Sequence, residues 1–171
     1  MKVNKNKGMY LESVLNNSID YYRIHKIALI RKQTTPVKIT RVINQEVVGK
    51  LSTKCDVDYY GIYNGYFIAI EAKQTKEKYF ERSNILEHQL EFLKQILEFN
   101  GLSYLIVYFQ QSDSFYFIEY KKFEKKVFGK NKKTNRIQEK WFQDNCFKLE
   151  LMFPGRLDFV KFIKVTQTKK L

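Results

Sequence analysis

The spacing of hydrophobic and polar residues changes several times along this 171-residue chain, and each change predicts an element. From residue 9 to residue 22 apolar side chains recur every three or four positions, which predicts an amphipathic helix. The apolar run "KIALIRK" at residues 26–32 has charged ends and predicts a buried strand. Residues 33–54 contain "VKITRVI", which alternates apolar and basic side chains, and they offer few candidates for burial. We therefore expect an exposed two-stranded ribbon, inserted between strands of the core.

The middle of the chain predicts a hairpin, a helix and two further strands. Asn64 and Gly65 favour a two-residue turn, so "DVDYYGIYNGYFIAIEAK" at residues 56–73 predicts a β-hairpin. "NILEHQLEFLKQILEFNG" predicts a helix that ends at Asn100 and Gly101. "LSYLIVYF" and "SFYFIEY" predict two strands joined by a polar turn at residues 110–113. The C-terminal part has weaker patterns, which predict short, basic helical pieces.

The resulting order is α-β-(ribbon)-β-β-α-β-β. It predicts an α/β fold in which helices flank a mixed central sheet. The length fits a single domain of residues 1–171, with enough chain for a sizeable core.

The hairpin brings charged residues together within an apolar stretch. With its turn at residues 64–65, Asp58 lies directly opposite Glu71, and Asp56 lies directly opposite Lys73. All four side chains then share one face, with opposed Cβ atoms about 5 Å apart. Apolar neighbours on both faces place the hairpin at the centre of the sheet.

Two facing carboxylates destabilise a sheet unless something compensates for their repulsion. A divalent cation would do so, since Mg²⁺ prefers oxygen ligands, often one or two carboxylates with waters and a phosphate. Lys73 would lie next to the metal, where its ammonium can steady a phosphate. The alternative is a diagonal salt bridge between Asp58 and Lys73, with Glu71 at an exposed strand end.

The charge and composition of the chain limit the kinds of partner that it can bind. Lys and Arg number 31 against 18 Asp and Glu, for a net charge of +13, which favours a polyanion, nucleic acid before membrane. No apolar run approaches the ~20 residues of a membrane span, and the N-terminus has no apolar signal-peptide core. We therefore expect a cytoplasmic protein without a membrane partner. Cys55 and Cys146 lack metal-ligand spacing and predict free thiols.

An acid followed by E-x-K on the next strand, in an αβββαβ order, resembles the PD-(D/E)xK nuclease superfamily, which has a restriction-endonuclease-like core. A wider set of segments resembles the RecU-type Holliday junction resolvases in order and spacing. These segments are "GMYLE" (8–12), "TPVKI" (35–39), "DYYGIYNGYFIAIEAK" (58–73), "NILEHQ" (84–89) and "PGRLDF" (154–159).

The resemblance implies a Mg²⁺-dependent endonuclease, with Mn²⁺ as a substitute, that cuts four-way DNA junctions in homologous recombination and repair. It also implies a homodimer with a protruding stalk at about residues 34–52, and a RecA-type recombinase as a candidate partner. Carried over residue by residue, Asp58 and Glu71 are metal carboxylates, Lys73 stabilises the transition state, and Gln89 completes the metal shell.

Several positions depart from the family pattern. Asp56 stands where the family has a ligating threonine, so its carboxylate is a further candidate metal ligand. The stalk is several residues short and lacks a Pro-x-Arg segment, and Ala69 replaces an acid. Glu12 is a candidate outer ligand or structural acid. The candidate DNA contacts are Lys7, Lys38, Arg41, Lys50 and Arg82.

Two other functions remain open at this point. One is a related restriction or repair endonuclease with another substrate, against which the stalk argues. The other is a catalytically weak junction-binding protein or recombinase modulator, against which the intact Asp58, Glu71 and Lys73 argue. His25 and His88 are assigned no chemistry.

Overall fold

The computed structural model describes residues 9–44, 46–51, 55–129 and 135–163. The helices are α1 Met9–Ile24, α2 Glu87–Glu98, α3 Tyr120–Phe128 and α4 Glu139–Asn145, with a 3₁₀ turn at Arg82–Asn84. The strands are β1 Leu29–Lys32, β2 Val37–Ile43, β3 Glu46–Leu51, β4 Tyr59–Tyr63, β5 Tyr66–Thr75, β6 Tyr79–Glu81, β7 Leu102–Phe109, β8 Ser114–Glu119, β9 Arg136–Gln138, β10 Phe147–Leu149, β11 Leu151–Met152 and β12 Arg156–Leu157.

A six-stranded mixed sheet in the order β1-β4-β5-β7-β8-β10 forms the centre of the molecule. Strands β5 and β7 are parallel, while the other neighbouring pairs are antiparallel. One side of the sheet packs against α1 and the C-terminal segment, and the other packs against α2, α3 and α4. Side chains alternate along β5, so Ile68 and Ile70 face α1 while Ala69 faces α2. The predicted α/β fold with a mixed central sheet is confirmed.

The strongest sequence patterns gave the correct elements. Helix α1 buries its predicted apolar face, and α2 ends before Asn100, which adopts a positive φ of 61°. The hairpin β4–β5 turns at Asn64 and Gly65, with φ of 49° and 79°. Both positive values belong to the turn that Asn-Gly favours, so Tyr63 pairs with Tyr66 as predicted.

Two predictions of burial were wrong. Strand β1 is an edge strand that pairs with β4 alone, and of its four residues only Ile30 is buried. The hairpin is central, but Ile62 and Phe67 near its turn are exposed. In both places one side of the backbone lacks a covering element, which an apolar run does not reveal.

The short strands β6 and β9–β12 were not predicted. Each is two or three residues long, below the length at which alternation is readable. β6 pairs with β9 and β11 pairs with β12, each in a separate small sheet.

The predicted ribbon is confirmed as β2 and β3, which pair only with each other among the described strands. Every side chain described in it is exposed, and none belongs to either core cluster. The pairing shifts by one residue between Ile39 and Arg41, which marks a β-bulge.

Candidate active site

Glu71 lies near the middle of β5, and its side chain is completely buried. β5 has neighbours on both sides, and alternation turns Glu71 toward α2, the side that Ala69 faces. Lys73 follows two residues later, and its side chain is 22% exposed. The E-x-K spacing therefore joins a buried carboxylate to a lysine that reaches the surface.

The two carboxylate oxygens of Glu71 have different surroundings. Oε1 accepts hydrogen bonds from Nε2 of Gln89 at 2.6 Å and lies 2.5 Å from Nζ of Lys73. Oε2 has no hydrogen-bond partner among the described residues, although it is fully buried. A buried polar atom without a partner costs free energy, and either a bound cation or a proton shared with the neighbouring Asp58 would remove that cost.

Asp58 lies next to Glu71, as the hairpin register predicts. Regular pairing stops at Tyr59 and Ile70, one residue short of Asp58. Oδ2 of Asp58 nevertheless accepts a hydrogen bond from the backbone N–H of Ala72 at 2.9 Å. The alternative of a diagonal Asp58–Lys73 bridge is wrong, because Lys73 pairs with Glu71 and Glu71 is buried rather than exposed.

Burial, and after it the nearby negative charge of Asp58, raise the pKa of Glu71 from an ordinary value of 4.5 to about 8. Lys73 acts in the opposite direction, since its positive charge and hydrogen bond favour the ionised form of Glu71. The raised pKa shows that this one lysine does not compensate for desolvation and the second acid. The site is therefore short of positive charge.

The residues present fit a divalent cation. Oε2 of Glu71 is free, and Asp58 supplies a second carboxylate beside it. No cluster of three or more His, Cys, Asp or Glu side chains suited to a metal occurs in the described part of the chain. This donor set matches Mg²⁺, which commonly takes one or two carboxylates and completes its shell with water and phosphate.

Gln89 is held at both ends of its amide. Its Oε1 accepts a hydrogen bond from the backbone N–H of Leu86 at 3.0 Å, in the first turn of α2, while Nε2 binds Glu71. The side chain is buried. Gln89 therefore fixes the orientation of the Glu71 carboxylate from the helix start.

The structure does not place Asp56 beside Asp58 and Glu71. The prediction that it lies opposite Lys73 is wrong, because β4 begins only at Tyr59 and the preceding residues leave the sheet. Val57 is buried on the α2 side, while the side chain of Asp56 is exposed. The Asp56 carboxylate therefore stands apart from the pair that the structure assembles.

His88 ties this irregular segment to α2. Its Nε2 donates to the carbonyl oxygen of Cys55 at 3.1 Å. The contact lies within the part of the chain that leads into Asp58.

Cys55 and Cys146 are both free thiols, as predicted.

An open cleft of about 560 Å³ lies at the end of β5, next to the buried Glu71. Asp58 and Lys73 line it together with Glu12, Lys32 and Lys76. Glu12, the candidate outer ligand, forms a salt bridge with Lys32.

Lys32 was missed by the sequence analysis. It is the last residue of β1 and pairs with Tyr59, which places it beside Asp58. The signal was present in the charged end of "KIALIRK", but using it required knowledge that β1 pairs with β4. A long-range pairing of this kind is not visible in the local pattern.

The candidate DNA contacts lie in separate places. Lys38 and Lys50 face each other on the ribbon, and Arg41 follows on β2. Arg82 pairs with Glu87 and stacks on Phe128. The last candidate contact, Lys7, lies outside the described residues.

In this α/β core a buried glutamate lies beside an aspartate, and a lysine follows two residues after the glutamate. This is the site arrangement of the PD-(D/E)xK nucleases. Residues 6–165 match the family model "RecU: Recombination protein U". The chain belongs to the Recombination protein U family.

Several relatives are similar over most of their length. The chain is 39% identical over 162 residues to the Holliday junction resolvase RecU of Mycoplasmopsis pulmonis, covering 95% of this chain and 96% of the relative. It is 35% identical over 168 residues to that of Ureaplasma parvum, covering 97% and 96%. It is 34% identical over 167 residues to that of Staphylococcus aureus strain JH9, covering 92% and 79%.

Among solved structures, the chain is similar to Archaeoglobus fulgidus Hjc, a Holliday junction resolvase. The TM-score is 0.44 at 14% identity, over 72% of this chain and 87% of that one. None of the described helices is long and apolar enough to cross a membrane.

Proposed function

We propose that this protein is a structure-selective endodeoxyribonuclease that resolves four-way DNA junctions in homologous recombination and repair. The observation that carries the chemistry is the free, fully buried Oε2 of Glu71 beside Asp58. Membership of the Recombination protein U family, and relatives named Holliday junction resolvases, support the substrate. The net charge of +13 supports a nucleic-acid partner.

The proposed cofactor is Mg²⁺, with Mn²⁺ as a substitute. A divalent cation in such a site lowers the pKa of bound water and stabilises charge on the phosphate. Asp58 and Glu71 would hold it. Asp56 is left out of this set because the structure does not gather it with the other acids.

The remaining residues bind and orient. Gln89 keeps one oxygen of Glu71 engaged and leaves the other without a hydrogen-bond partner. Nζ of Lys73 is a donor for the charge that develops on the phosphate during cleavage. Lys32 and Lys76 line the cleft and offer charge to the neighbouring phosphates of the cut strand.

The proposed assembly is a homodimer. Two sites related by a two-fold axis can cut two strands of a junction symmetrically. The ribbon β2–β3 is the proposed stalk, because it is exposed throughout its described length and carries basic side chains. A RecA-type recombinase remains a proposed partner.

A second candidate is a junction-binding protein that does not cut. One observation favours it: without a cation Glu71, with a pKa of about 8, is largely protonated at neutral pH. Asp58 and Glu71 would hold a cation only with Glu71 ionised, so a protein that binds no cation would bind the junction without cutting it.

The test compares a four-way junction with a linear duplex of the same sequence. Each is incubated with the protein in Mg²⁺, in Mn²⁺ and in EDTA, and products are resolved on a denaturing gel. We expect paired cuts in the junction with either metal and none in EDTA. Junction binding without cuts in any metal would instead establish the second candidate, and equal cutting of the duplex would contradict junction selectivity.

A further inference from the structure

The ribbon β2–β3 gathers its charged side chains on one face, which regular alternation along its sequence would not do. Lys38 and Arg41 are three residues apart, so in a regular strand they would point to opposite faces. The ladder is not regular there. Ile39 pairs with Gly49 and Arg41 pairs with Val48, which leaves Thr40 as an extra residue.

The bulge reverses the phase of alternation after Thr40. Directly opposed residues share a face, so Lys38 and Lys50 lie together. Arg41 is opposed by Val48, two residues from Lys50 on β3, and therefore lies on the same face. We call Lys38, Arg41 and Lys50 the cationic face.

The opposite face is apolar. By the same pairing it carries Val37, Ile39, Val42 and Val47, all of them exposed. A Cβ on Gly49 would lie 2.4 Å from Cγ1 of Val37, so Gly49 gives that side chain room to cross the ribbon on this face.

The bulge is anchored by its own residue. Oγ1 of Thr40 donates a hydrogen bond to the backbone oxygen of Val48 at 3.0 Å. This hydrogen bond ties the extra residue to Val48, the residue that Arg41 pairs with. The face of the three cations also carries Val48, Ile43 and Glu46.

We infer that the bulge at Thr40 builds a one-sided contact for nucleic-acid phosphates by bringing Arg41 into phase with Lys38 and Lys50. Two lysines directly opposed on an exposed ribbon repel each other, and a polyanion relieves that repulsion. This inference deepens the proposed function, on which it rests, by naming the surface through which the ribbon holds the junction. The positions of the three cations, and not only their number, determine binding.

Three variants with the same net charge distinguish the effect of where the cations lie from the effect of how many there are. A threonine inserted between Val48 and Gly49 gives Thr40 a partner, restores a regular ladder and places Arg41 on the apolar face. Deletion of Thr40 also restores a regular ladder but keeps all three cations on one face. In the third variant the insertion is combined with Arg41→Val and Val42→Arg, which returns the arginine to the cationic face.

The readout is the dissociation constant for a four-way junction, in EDTA, as a function of salt concentration. We expect the insertion to weaken junction binding about tenfold and to make the log–log salt slope shallower by about 0.9, the value for one lost phosphate contact on duplex DNA. We expect the deletion and the rescued insertion to bind like the wild-type protein. Thermal unfolding midpoints confirm that all four proteins are folded.

Two results would overturn the inference. If all four proteins bind the junction equally, only the number of charges matters. If the deletion binds as weakly as the insertion, the bend or length of the ribbon matters and the phase does not. Absence of junction preference in the wild-type protein is a different result, because it contradicts the proposed function before the variants are compared.

Discussion

Among the acidic residues that the structure describes, Glu71 differs in being both completely buried and left with a free oxygen. Lys73 and Gln89 bind the other oxygen, and Asp58 adds a second negative charge. These contacts are the ones expected if a cation normally occupies the space beside the free oxygen of Glu71. The site is therefore a source of instability in the metal-free protein.

This instability predicts a pH dependence. The pKa of Glu71 is raised in the folded chain from 4.5 to about 8, so between these values the folded state holds a proton that the unfolded state has released. The contribution of Glu71 to stability is complete below pH 4.5 and is lost as the pH rises toward 8, by at most about 1.4 kcal/mol per pH unit. Glu71→Gln should remove this loss.

The measurement is chemical denaturation of both proteins in EDTA at several pH values. We expect the unfolding free energy of Glu71→Gln to exceed that of the wild type increasingly between pH 5 and pH 8. A constant difference between the two proteins across that range would show that Glu71 is ionised in the metal-free fold.

Gln89 gives a second prediction at this scale. Gln89→Leu keeps the size of the side chain but removes its hydrogen bond to Glu71. We expect weaker metal binding, with the Mg²⁺ concentration for the half-maximal cleavage rate raised about tenfold or more, since orienting partners of ligands typically contribute 10- to 100-fold in metal affinity.

Gln95→Leu is the matched control, because Gln95 is exposed on the same helix. It should leave the Mg²⁺ dependence unchanged. If Gln89→Leu also leaves it unchanged while the protein stays folded, Gln89 does not orient the carboxylate.

At the scale of elements, local signals were enough for the hairpin and not for its surroundings. Asn64 and Gly65 set the turn, the turn set the register, and the register placed Asp58 beside Glu71. The predicted register did not hold for Asp56, because the packing of Val57 takes the chain out of the sheet. The edge position of β1 depends on pairing with residues far along the chain.

The ribbon supports a prediction at the same scale. The described residues among 37–48 contribute no side chain to either core cluster, so replacing 37–48 with a short Gly-Ser turn should leave the fold and the metal site intact. We expect weak duplex binding to persist, while junction preference and junction cutting are lost together. Competition binding with junction and duplex of one sequence measures this.

The control is metal-dependent stabilisation of the shortened protein, which should match that of the wild type in thermal unfolding. If the shortened protein still prefers and cuts the junction, selectivity lies in the body of the dimer and not in the ribbon.

At the scale of the whole molecule, charge and fold point to the same partner. The net charge of +13 lies on a chain in which Lys32, Lys73 and Lys76 line the cleft while Lys38, Arg41 and Lys50 lie on the ribbon. Composition alone predicted a polyanionic partner. It could not predict where the charge gathers, because the bulge at Thr40 and the pairing of Lys32 appear only in the folded chain.

This distribution predicts a strong salt dependence. Each phosphate that the protein neutralises should contribute about −0.9 to the log–log slope of affinity against salt on duplex DNA. We expect junction binding to weaken steeply between low and physiological salt, with a slope equivalent to several phosphates. Fluorescence anisotropy with a labelled junction provides the slope, and a flat response would show that the charge is only solvated surface.

The central claim is that Asp58 and Glu71 hold the cation with which this protein cuts four-way junctions. The most direct measurement follows binding and cleavage of one labelled junction by wild type and Glu71→Gln in saturating Mg²⁺. We expect equal junction binding and equal or greater thermal stability of the variant in EDTA, but symmetric paired cuts by the wild type alone. Near-normal cutting by Glu71→Gln would contradict it.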